Sequence, residues 1–467
     1  MRTTVIRHPL GRWIDPAVAF SALHHDSPNS FWLDSGVEAV DGRSYCGSSS
    51  RVLSVEAGSD PRAAFADVAA ELAANRAPDS AGVAALGWVG WLGYELRGMT
   101  LGHTVSEATP PTGVSRYPDA ALMFVDRCLE FDHATQLVSL VALGDSWAGS
   151  LLRWRDATVA ALENALPLPR PAVSAVVSMA MGSAVRSTSW SPSGPRVTWR
   201  DTDAQYLAKI AECQAAIVAG DAYQLCLTTQ AEVDAHPEPL RTYLTLRASS
   251  PTHHGAFLRV ADVSLLSASP EQYLSVTASG LIESRPIKGT RRRDADPDED
   301  AKLRDELEGN EKERAENLMI VDLMRNDIGK VSQVGSVSVP SLLAVESYAH
   351  VHQLVSRVQG QLLSGITGLE AALACFPAGS MTGAPKLSAT VILDRLEQRA
   401  RGIYAGAFGR FGLDGSVDLA MTIRSIIIDK AGVTIGSGGG ITADSVPSEE
   451  LAEVKLKAAA LLAVLGA

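Results

Sequence analysis

The sequence is poor in the features that mark secreted, metal-stapled or polyanion-binding proteins. Its 467 residues include five scattered cysteines without a CxxC pair, so we expect reduced thiols in a cytoplasmic protein and neither disulfides nor a zinc site. Acidic residues outnumber basic ones, and the formal net charge is -12. This balance argues against nucleic acid or an anionic membrane as a partner, because both require a broad basic surface.

Long apolar runs are also missing. The amino terminus has no apolar stretch long enough for a secretory signal, and the longest apolar window, residues 81–92, is broken by three glycines, so no membrane span is predicted. No repeat of fixed period occurs, which argues against solenoids and propellers. With 46% apolar and 20% charged residues, the composition is typical of a globular protein with a large core.

Composition divides the chain into three parts. Residues 1–166 combine strand-like runs with a few helices, and the Gly/aromatic segment 87–95 favours closely packed strands over a ligand site. Residues 167–199 are rich in Pro, Ser, Ala and Val without periodicity, which is typical of a linker. Residues 200–467 resume with amphipathic helices and strands, and they contain the segments with candidate chemistry.

Lys288 is the first candidate for chemistry. It lies in the Pro/Gly-punctuated segment 283–290, ESRPIKGT, ahead of an acidic and apolar helix that is predicted to begin near Asn310. An isolated loop lysine is usually solvated. Glu316, however, shares a face of that helix with apolar residues and is expected to point inward. A buried carboxylate needs a partner, and a divalent metal would serve.

Glu271 is a candidate general acid. It follows Pro270 at the entrance to a predicted strand. Apolar surroundings would raise the pKa of its carboxyl group and let it hold a proton to donate. The alternative is a glutamate that caps the strand.

One stripe of the last predicted helix carries Glu450, Glu453 and Lys457, at positions i, i+3 and i+7. A surface ion-pair stripe is the alternative interpretation. The three glycines at 438–440, just upstream, would let a ligand approach the backbone closely. Glu316 and Glu453 together would suit Mg2+, which prefers hard oxygen donors.

Two further segments supply hydrogen-bond donors. Residues 376–386 form a Gly/Ser/Thr-rich loop that contains Ser380 and leads into a helix, an arrangement that suits anions but lacks the spacing of a nucleotide P-loop. Arg424 stands alone among apolar residues of a predicted strand over 421–426. A guanidinium in such a setting usually meets a carboxylate of the protein or of a ligand.

Six motifs, in this order, resemble the chorismate-utilising enzymes, a family that includes the anthranilate, aminodeoxychorismate, isochorismate and salicylate synthases. They are SPEQYL, ESRPIKGTRRR, ERAENLMIVDLMRNDIG, FPAGSMTGAPK, VDLAMTIRS and GGGITADSVPSEELAEVKLKA. The resemblance implies that 200–467 is a chorismate-binding catalytic domain and that 1–166 is similar to the amino-terminal region of anthranilate synthase component I. It also implies an α/β (α+β) fold of two intertwined subdomains, with sandwiched antiparallel sheets and outer helices.

Within the family, PIKGT around Lys288 is typical of aminodeoxychorismate synthases, whereas anthranilate synthases typically have PIAGT. Isochorismate and salicylate synthases carry a water-activating lysine where this chain has Gln224. The resemblance therefore implies Mg2+-dependent amination of chorismate at C4, on the route to 4-aminobenzoate and folate. Anthranilate synthase component I, 2-amino-2-deoxyisochorismate synthase and an inactive chorismate-binding scaffold for a glutaminase are the alternatives. No segment resembles a glutamine amidotransferase, so ammonia is expected from a partner glutaminase subunit or from free ammonium.

The resemblance further implies residue roles. Lys288 would add to C2 of the chorismate ring, with Glu271 as general acid. Gln353, Cys226 and Arg410 depart from the family pattern near the expected pyruvyl end of the pocket, and loss of a histidine at 353 fits an enzyme that does not eliminate pyruvate. The metal ligands would be Glu316 and Glu453, with Glu450 nearby, and the substrate-binding residues would be Thr290, Ser380, Arg424, Gly438, Gly439, Gly440 and Lys457.

Overall fold

The computed structural model describes residues 4–37, 39–78, 82–83, 85–102, 113–168, 194–348 and 351–467. Most of the predicted linker lies outside these ranges. Its last residues form a short strand, Val197–Trp199, that pairs with a strand of the following region. In the part of the chain described, no helix combines the length and apolar character needed to cross a membrane.

Helices are interspersed among runs of strands along the described chain. The strands are β1 (Val5–Pro9), β2 (Asn29–Asp34), β3 (Arg43–Ser48), β4 (Val52–Val55), β5 (Gly87–Leu92), β6 (Ala120–Val125), β7 (Arg127–Asp132), β8 (Leu137–Leu143), β9 (Val197–Trp199), β10 (Gln224–Val233), β11 (His254–Val260), β12 (Val263–Ser269), β13 (Gln272–Val276), β14 (Leu281–Ser284), β15 (Ile287–Arg292), β16 (Ser338–Ser347), β17 (Val351–Gln361), β18 (Gly383–Ala384), β19 (Ala407–Gly412), β20 (Val417–Met421), β21 (Ser425–Asp429) and β22 (Gly432–Ile441).

The described helices range from four to nineteen residues in length. They are α1 (Pro16–His24), α2 (Arg62–Ala74), α3 (Arg97–Thr100), α4 (Gly149–Glu163), α5 (Asp203–Val218), α6 (Pro239–Ser249), α7 (Pro297–Gly309), α8 (Glu311–Gly329), α9 (Gly368–Cys375), α10 (Lys386–Glu397) and α11 (Pro447–Val464), with short 3-10 turns at Tyr94–Leu96 and Gly379–Met381.

The described strands form two antiparallel sheets. The twelve-stranded first sheet has the order β1-β8-β7-β3-β2-β11-β12-β21-β22-β10-β18, with β9 beside β10. The ten-stranded second sheet has the order β15-β17-β14-β13-β20-β19-β5-β6-β4, with β16 beside β17. Both sheets mix strands from before and after the predicted linker, so the two regions are intertwined. The predicted fold class is confirmed, whereas the division into regions stays a prediction.

Four clusters of buried apolar side chains hold the described part of the chain together. One lies between the sheets and includes Phe31 and Leu258 from the first sheet with Trp91 and Phe408 from the second, all at most 2% exposed. The others lie under the outer helices, for example beneath Ile320 of α8. Full burial of one such side chain contributes about 2 kcal/mol, so the interior is the main source of stability.

The segment 87–95 forms closely packed strand structure, as its glycine and aromatic content favours. All six residues of β5 are buried. A Cβ at Gly90 would lie 1.9 Å from the carbonyl oxygen of Ala121 on β6, so the strands approach more closely than a side chain permits.

Two connections carry the chain from one sheet to the other at the same place. Pro270 and Glu271 join β12 to β13, and residues 422–424 join β20 to β21. The Met421 amide donates to the Glu271 carbonyl at 3.0 Å, and the Ala268 amide donates to the Arg424 carbonyl at 3.1 Å. The predicted strand over 421–426 is therefore wrong, because Arg424 adopts a left-handed conformation, φ +51°, that ends one strand before the next begins.

Candidate active site

A cavity of about 460 Å³ opens where these two connections meet. The structure brings all twelve site residues predicted from the sequence to its wall, although their roles stay predictions. They are Lys288, Glu271, Thr290, Ser380, Arg424, Gly438, Gly439, Gly440, Lys457, Glu316, Glu453 and Glu450.

Lys288 lies on edge strand β15 at an irregularity in the pairing with β17. The register shifts between Lys288 and Thr290, and Gly289 between them has φ +72°, a conformation that favours glycine. The Lys288 Nζ lies 3.2 Å from Glu316 Oε2. Burial opposes its charge, but the Glu316 carboxylate raises the pKa of Lys288 above its ordinary value. The ion pair thus directs the amine into the cavity.

Helix α8 presents its acidic face to the same space. The Asn310 side chain caps it by accepting a hydrogen bond from the Glu313 amide at 3.1 Å. Ile320 and Leu323 are buried, and Glu316, one turn earlier, points inward as the helical spacing predicts. Lys312, four residues before Glu316, also lines the cavity. Sequence reasoning missed it, although the i,i+4 spacing was available.

Helix α11 faces α8 across the cavity. Glu450 is 3% exposed; it accepts a hydrogen bond from Ser445 Oγ at 2.8 Å and an ion pair from Lys312 at 3.3 Å. The Lys457 Nζ lies 2.7 Å from Glu453 and donates to the Gly438 carbonyl at 3.0 Å. The predicted stripe therefore lines the cavity, with the Glu453 side chain half exposed.

The acidic residues suit a hard divalent cation. Among the described residues, no three His, Cys, Asp or Glu side chains form a ready-made metal centre. Mg2+, however, needs only one or two protein carboxylates, because water and substrate complete its shell. Glu316 and Glu453 line the cavity with Glu313, and burial together with the like charge of Glu316 raises the pKa of Glu313. A cation there would relieve that repulsion, so the donor set fits.

Glu271 has the environment expected of an acid. It is 8% exposed, and burial raises the pKa of its carboxyl group to about 7, against smaller opposing effects of a Ser380 hydrogen bond and the Lys288 charge. A carboxyl group with this pKa keeps a proton near neutral pH and can donate it.

The loop that contains Ser380 is held in place by the buried side chain of Lys386. Lys386, at the start of α10, is 7% exposed and pairs with Asp327 of α8. Its Nζ also donates to the carbonyls of Cys375 at 2.8 Å and Pro377 at 2.7 Å. Burying a lysine without such partners would cost free energy. These contacts therefore hold the backbone at Cys375 and Pro377, just before the 3-10 turn that carries Ser380.

The three residues that depart from the family pattern do not all line the same cavity. Gln353 and Cys226 line the cavity, and the Gln353 amide donates to Thr290 Oγ1 at 3.5 Å. Arg410 instead lines a separate small cavity and donates to Ser416 Oγ at 3.0 Å. Tyr404, which sequence reasoning did not select, also lines the main cavity. No local pattern marks it, because a buried tyrosine in a turn is common.

Comparison with known proteins agrees with this geometry. A family model described as chorismate binding enzyme matches residues 28–463. Aminodeoxychorismate synthases from Streptomyces pristinaespiralis and Streptomyces griseus are 38% and 39% identical to this chain, and each alignment covers 97% of it. The alignments cover 64% and 63% of those relatives, so the chain spans just under two thirds of their length. Anthranilate synthase component 1 from Streptomyces coelicolor is 36% identical over 80% of this chain and 72% of its own.

Solved structures show the same architecture. Anthranilate synthase component I from Streptococcus pneumoniae superposes with a TM-score of 0.71 at 25% identity, covering 98% of this chain and 99% of that one. The menaquinone-specific isochorismate synthase of Escherichia coli gives 0.70 at 16% identity, covering 99% and 94%, which shows the fold alone. The chain therefore belongs to the chorismate binding enzyme family.

Proposed function

We propose that this protein aminates chorismate at C4 with ammonia to give 4-amino-4-deoxychorismate, on the route to 4-aminobenzoate and folate. The observation that carries the proposal is the position of Lys288. Its Nζ lies 3.2 Å from Glu316, and a Cβ at Gly440 would come within 3.5 Å of it. The Lys288 amine is thus held against the glycine backbone at 440, which carries no side chain, and beside the carboxylates of the cavity. It belongs to the PIKGT segment. The two Streptomyces aminodeoxychorismate synthases support the same activity.

The charges of the cavity suit a dianion together with a divalent cation. Five cationic side chains and five carboxyl groups line it. With Glu271 protonated, the four remaining carboxylates offset four of the cations, so little net attraction is left for a dianion without a metal. Glu316 and Glu453, with Glu450 nearby, would hold Mg2+. Bound there, the metal supplies positive charge that orients a substrate carboxylate. Arg424 and Lys457 would pair with the substrate carboxylates, while Thr290, Ser380 and the glycines 438–440 would donate hydrogen bonds.

In the proposed chemistry, Glu271 donates a proton to the substrate and Lys288 forms a transient covalent bond with it. Glu271 donates its proton to the C4 hydroxyl, which leaves as water. The Lys288 ammonium loses a proton to solvent, the free amine forms a bond to C2, and both ring double bonds shift one position toward C4. Ammonia then adds at C4, the double bonds shift back, and the C2–nitrogen bond breaks to release the Lys288 amine. The ammonium group formed at C4 returns a proton to Glu271. The nucleophile is thus regenerated, and the side chain of C3 is untouched.

Two further proposals concern the setting. Ammonia would come from a glutamine amidotransferase subunit or from free ammonium at high concentration. The reaction would take place in the cytoplasm, and the five buried, unbridged cysteines support a reducing compartment.

A product assay tests the function. Purified protein with chorismate, Mg2+ and ammonium should form 4-amino-4-deoxychorismate without pyruvate, detected by mass spectrometry and a coupled pyruvate assay. Pyruvate with 2-aminobenzoate would assign anthranilate synthase activity instead. An amine at C2, located by NMR, would assign 2-amino-2-deoxyisochorismate synthase. Calorimetric chorismate binding without turnover would identify an inactive scaffold.

A further inference from the structure

A second cavity, of about 800 Å³, lies behind the wall that Arg401 and Glu397 form. Its lining contains three carboxylates but five cationic side chains, in a chain whose net charge is -12. An excess of positive charge in a concave site of an acidic protein concentrates anions locally. The cationic residues are Arg116, Arg200, Lys209, Arg399 and Arg401.

Ion pairs neutralise only part of this charge. Three of the cations have partners: Arg116 with Asp429 at 2.8 Å, Lys209 with Asp201 at 2.6 Å, and Arg401 with Glu397 at 2.8 Å. Among the described residues, neither Arg200 nor Arg399 has a carboxylate within ion-pair distance. Of the lining groups, the guanidinium groups of Arg200 and Arg399 and the exposed carboxylate of Glu232 are thus left without an ion pair among the described residues, and the positive excess rests on the two arginines.

Arg200 is held in place by neutral groups. It directly follows β9, and its amide donates to the Gln230 carbonyl at 2.8 Å. Its guanidinium donates to the Ala400 carbonyl at 3.1 Å and to Gln230 Oε1 at 2.7 Å. Its Nε is buried without a hydrogen-bond partner among the described residues. An oriented, partly desolvated guanidinium of this kind binds an oxyanion strongly.

Arg399 supplies the second cation. It is exposed, in the turn after α10, one residue before the Ala400 carbonyl that holds Arg200. Burial lowers the pKa of Arg200, and the like charge of Arg399 adds to this effect, whereas the carboxylates of Glu397, Glu232 and Asp201 oppose it. The two guanidinium groups thus repel each other across the cavity, and a shared anion would relieve that repulsion.

Arg401 connects this cavity to the candidate active site. Its guanidinium donates to the carbonyls of Cys226 at 2.9 Å and Met381 at 2.6 Å, and both residues line the first cavity. It also pairs with Glu397, which lines the second cavity. A change of charge beside Glu397 can therefore move the wall of the first cavity.

We propose that the second cavity binds a small phosphate group between Arg200 and Arg399, and that its occupancy is transmitted to the first cavity through Arg401. Two planar guanidinium groups match the oxygens and the charge of a phosphate dianion. Free phosphate and a phosphate monoester present the same group, so both are tested.

Calorimetric titration of the full chain with inorganic phosphate, without chorismate or Mg2+, tests the site directly. We expect millimolar or tighter binding, and loss of one charge-assisted contact in Arg399→Gln should weaken it about tenfold. Arg395→Gln is the matched control, because Arg395 is exposed on the adjoining helix α10 and does not line the cavity. Equal affinity of the two variants, or no binding to the wild type, would overturn the proposal.

Arg200→Gln provides a second variant, with its fold checked by circular dichroism. It should weaken phosphate binding at least as much as Arg399→Gln. Tighter binding of glycerol 3-phosphate than of inorganic phosphate would assign the site to phosphate esters, and the reverse would assign it to the free ion.

The transmitted effect is measured separately, so the proposed reaction does not decide the binding result. Phosphate should change the chorismate KM of the wild type and of Arg395→Gln, and this change should be absent in Arg399→Gln, whose activity without phosphate is retained. Phosphate that simply competed in the first cavity would inhibit all three proteins equally, and that result would disprove transmission through Arg401.

Discussion

The two cavities carry the same number of cations but differ in their carboxylates. Five cationic side chains line each, while the first cavity has five carboxylates and the second has three. The extra acids of the first cavity come mainly from α8 and α11, which face each other across it. Under the proposed function, these helices add acid to a surface that would otherwise attract anions directly, and so make anion binding depend on a metal.

A difference in metal dependence follows from this comparison. In the first cavity, the proposed function implies that a dianion is favoured only after a divalent cation offsets the carboxylates. In the second, the arginines already exceed the acids, so an anion binds without metal.

Lys288→Ala should have the largest effect. Removal of the nucleophile eliminates the covalent route, and we expect kcat for amination to fall by about a thousandfold. Stopped-flow or endpoint product assays under saturating ammonium measure it. Lys302→Ala is the control, because Lys302 is an exposed lysine paired with Glu299. A kcat within a factor of about two of the wild type would remove Lys288 from the mechanism.

Glu316→Gln should break the metal dependence of the first cavity. Loss of one negative charge beside a divalent cation should weaken Mg2+ binding about a hundredfold, as measured by calorimetry in the presence of chorismate. Glu311→Gln on the same helix is the control, since Glu311 is exposed and does not line the cavity. Phosphate binding in the second cavity should be the same with EDTA as with Mg2+, and a requirement for metal there would contradict the comparison.

Glu271→Gln should reduce amination about a hundredfold, because an amide cannot donate the proton that leaves with the hydroxyl. In the wild type, the protonated fraction of Glu271 falls as pH rises through about 7, so kcat/KM should decline on the alkaline side. The variant should lose this decline. A wild-type rate that stays flat to pH 9 would show that Glu271 is not the acid.

The same substitution should stabilise the protein at alkaline pH. Burial raises the folded-state pKa of Glu271 from its ordinary 4.5 to about 7, so the folded state retains the proton more strongly than the unfolded state. Wild-type stability is therefore full below pH 4.5 and falls as pH rises through 7, by about 3 kcal/mol. Urea unfolding at pH 6 and pH 8.5 should show a smaller loss in Glu271→Gln, and an equal loss would contradict the raised pKa.

Local sequence accounts for the elements near the site better than for their junctions. Helix α8 is predicted to begin near Asn310 and begins at Glu311, because its cap and its apolar period are contained in the segment. The strand over 421–426 was predicted wrongly, because the left-handed bend at Arg424 has no glycine to mark it. Such a bend is imposed by the need to change sheets, which is a property of the whole fold.

The candidate site depends on contacts that no single segment contains. Motif resemblance identified residues on β15, α8 and α11, and the structure brings them to one cavity. Spacing could have found Lys312, which lies one turn before Glu316. The second cavity could not be predicted, because Arg200 and Arg399 each look like ordinary surface arginines in sequence. Only the pairing of β9 with β10 and the turn after α10 place them together.

Arg401→Lys should have a smaller effect, but in both cavities at once. Lysine keeps the charge beside Glu397, yet it cannot hold the carbonyls of Cys226 and Met381 with a planar fork. We therefore expect kcat/KM for chorismate to fall about tenfold through KM more than kcat, since Arg401 positions the wall and does not touch the reacting atoms. Phosphate should still bind this variant but no longer alter its chorismate KM. A fall in kcat alone, or a phosphate effect of unchanged size, would show that the two cavities are not connected through this guanidinium.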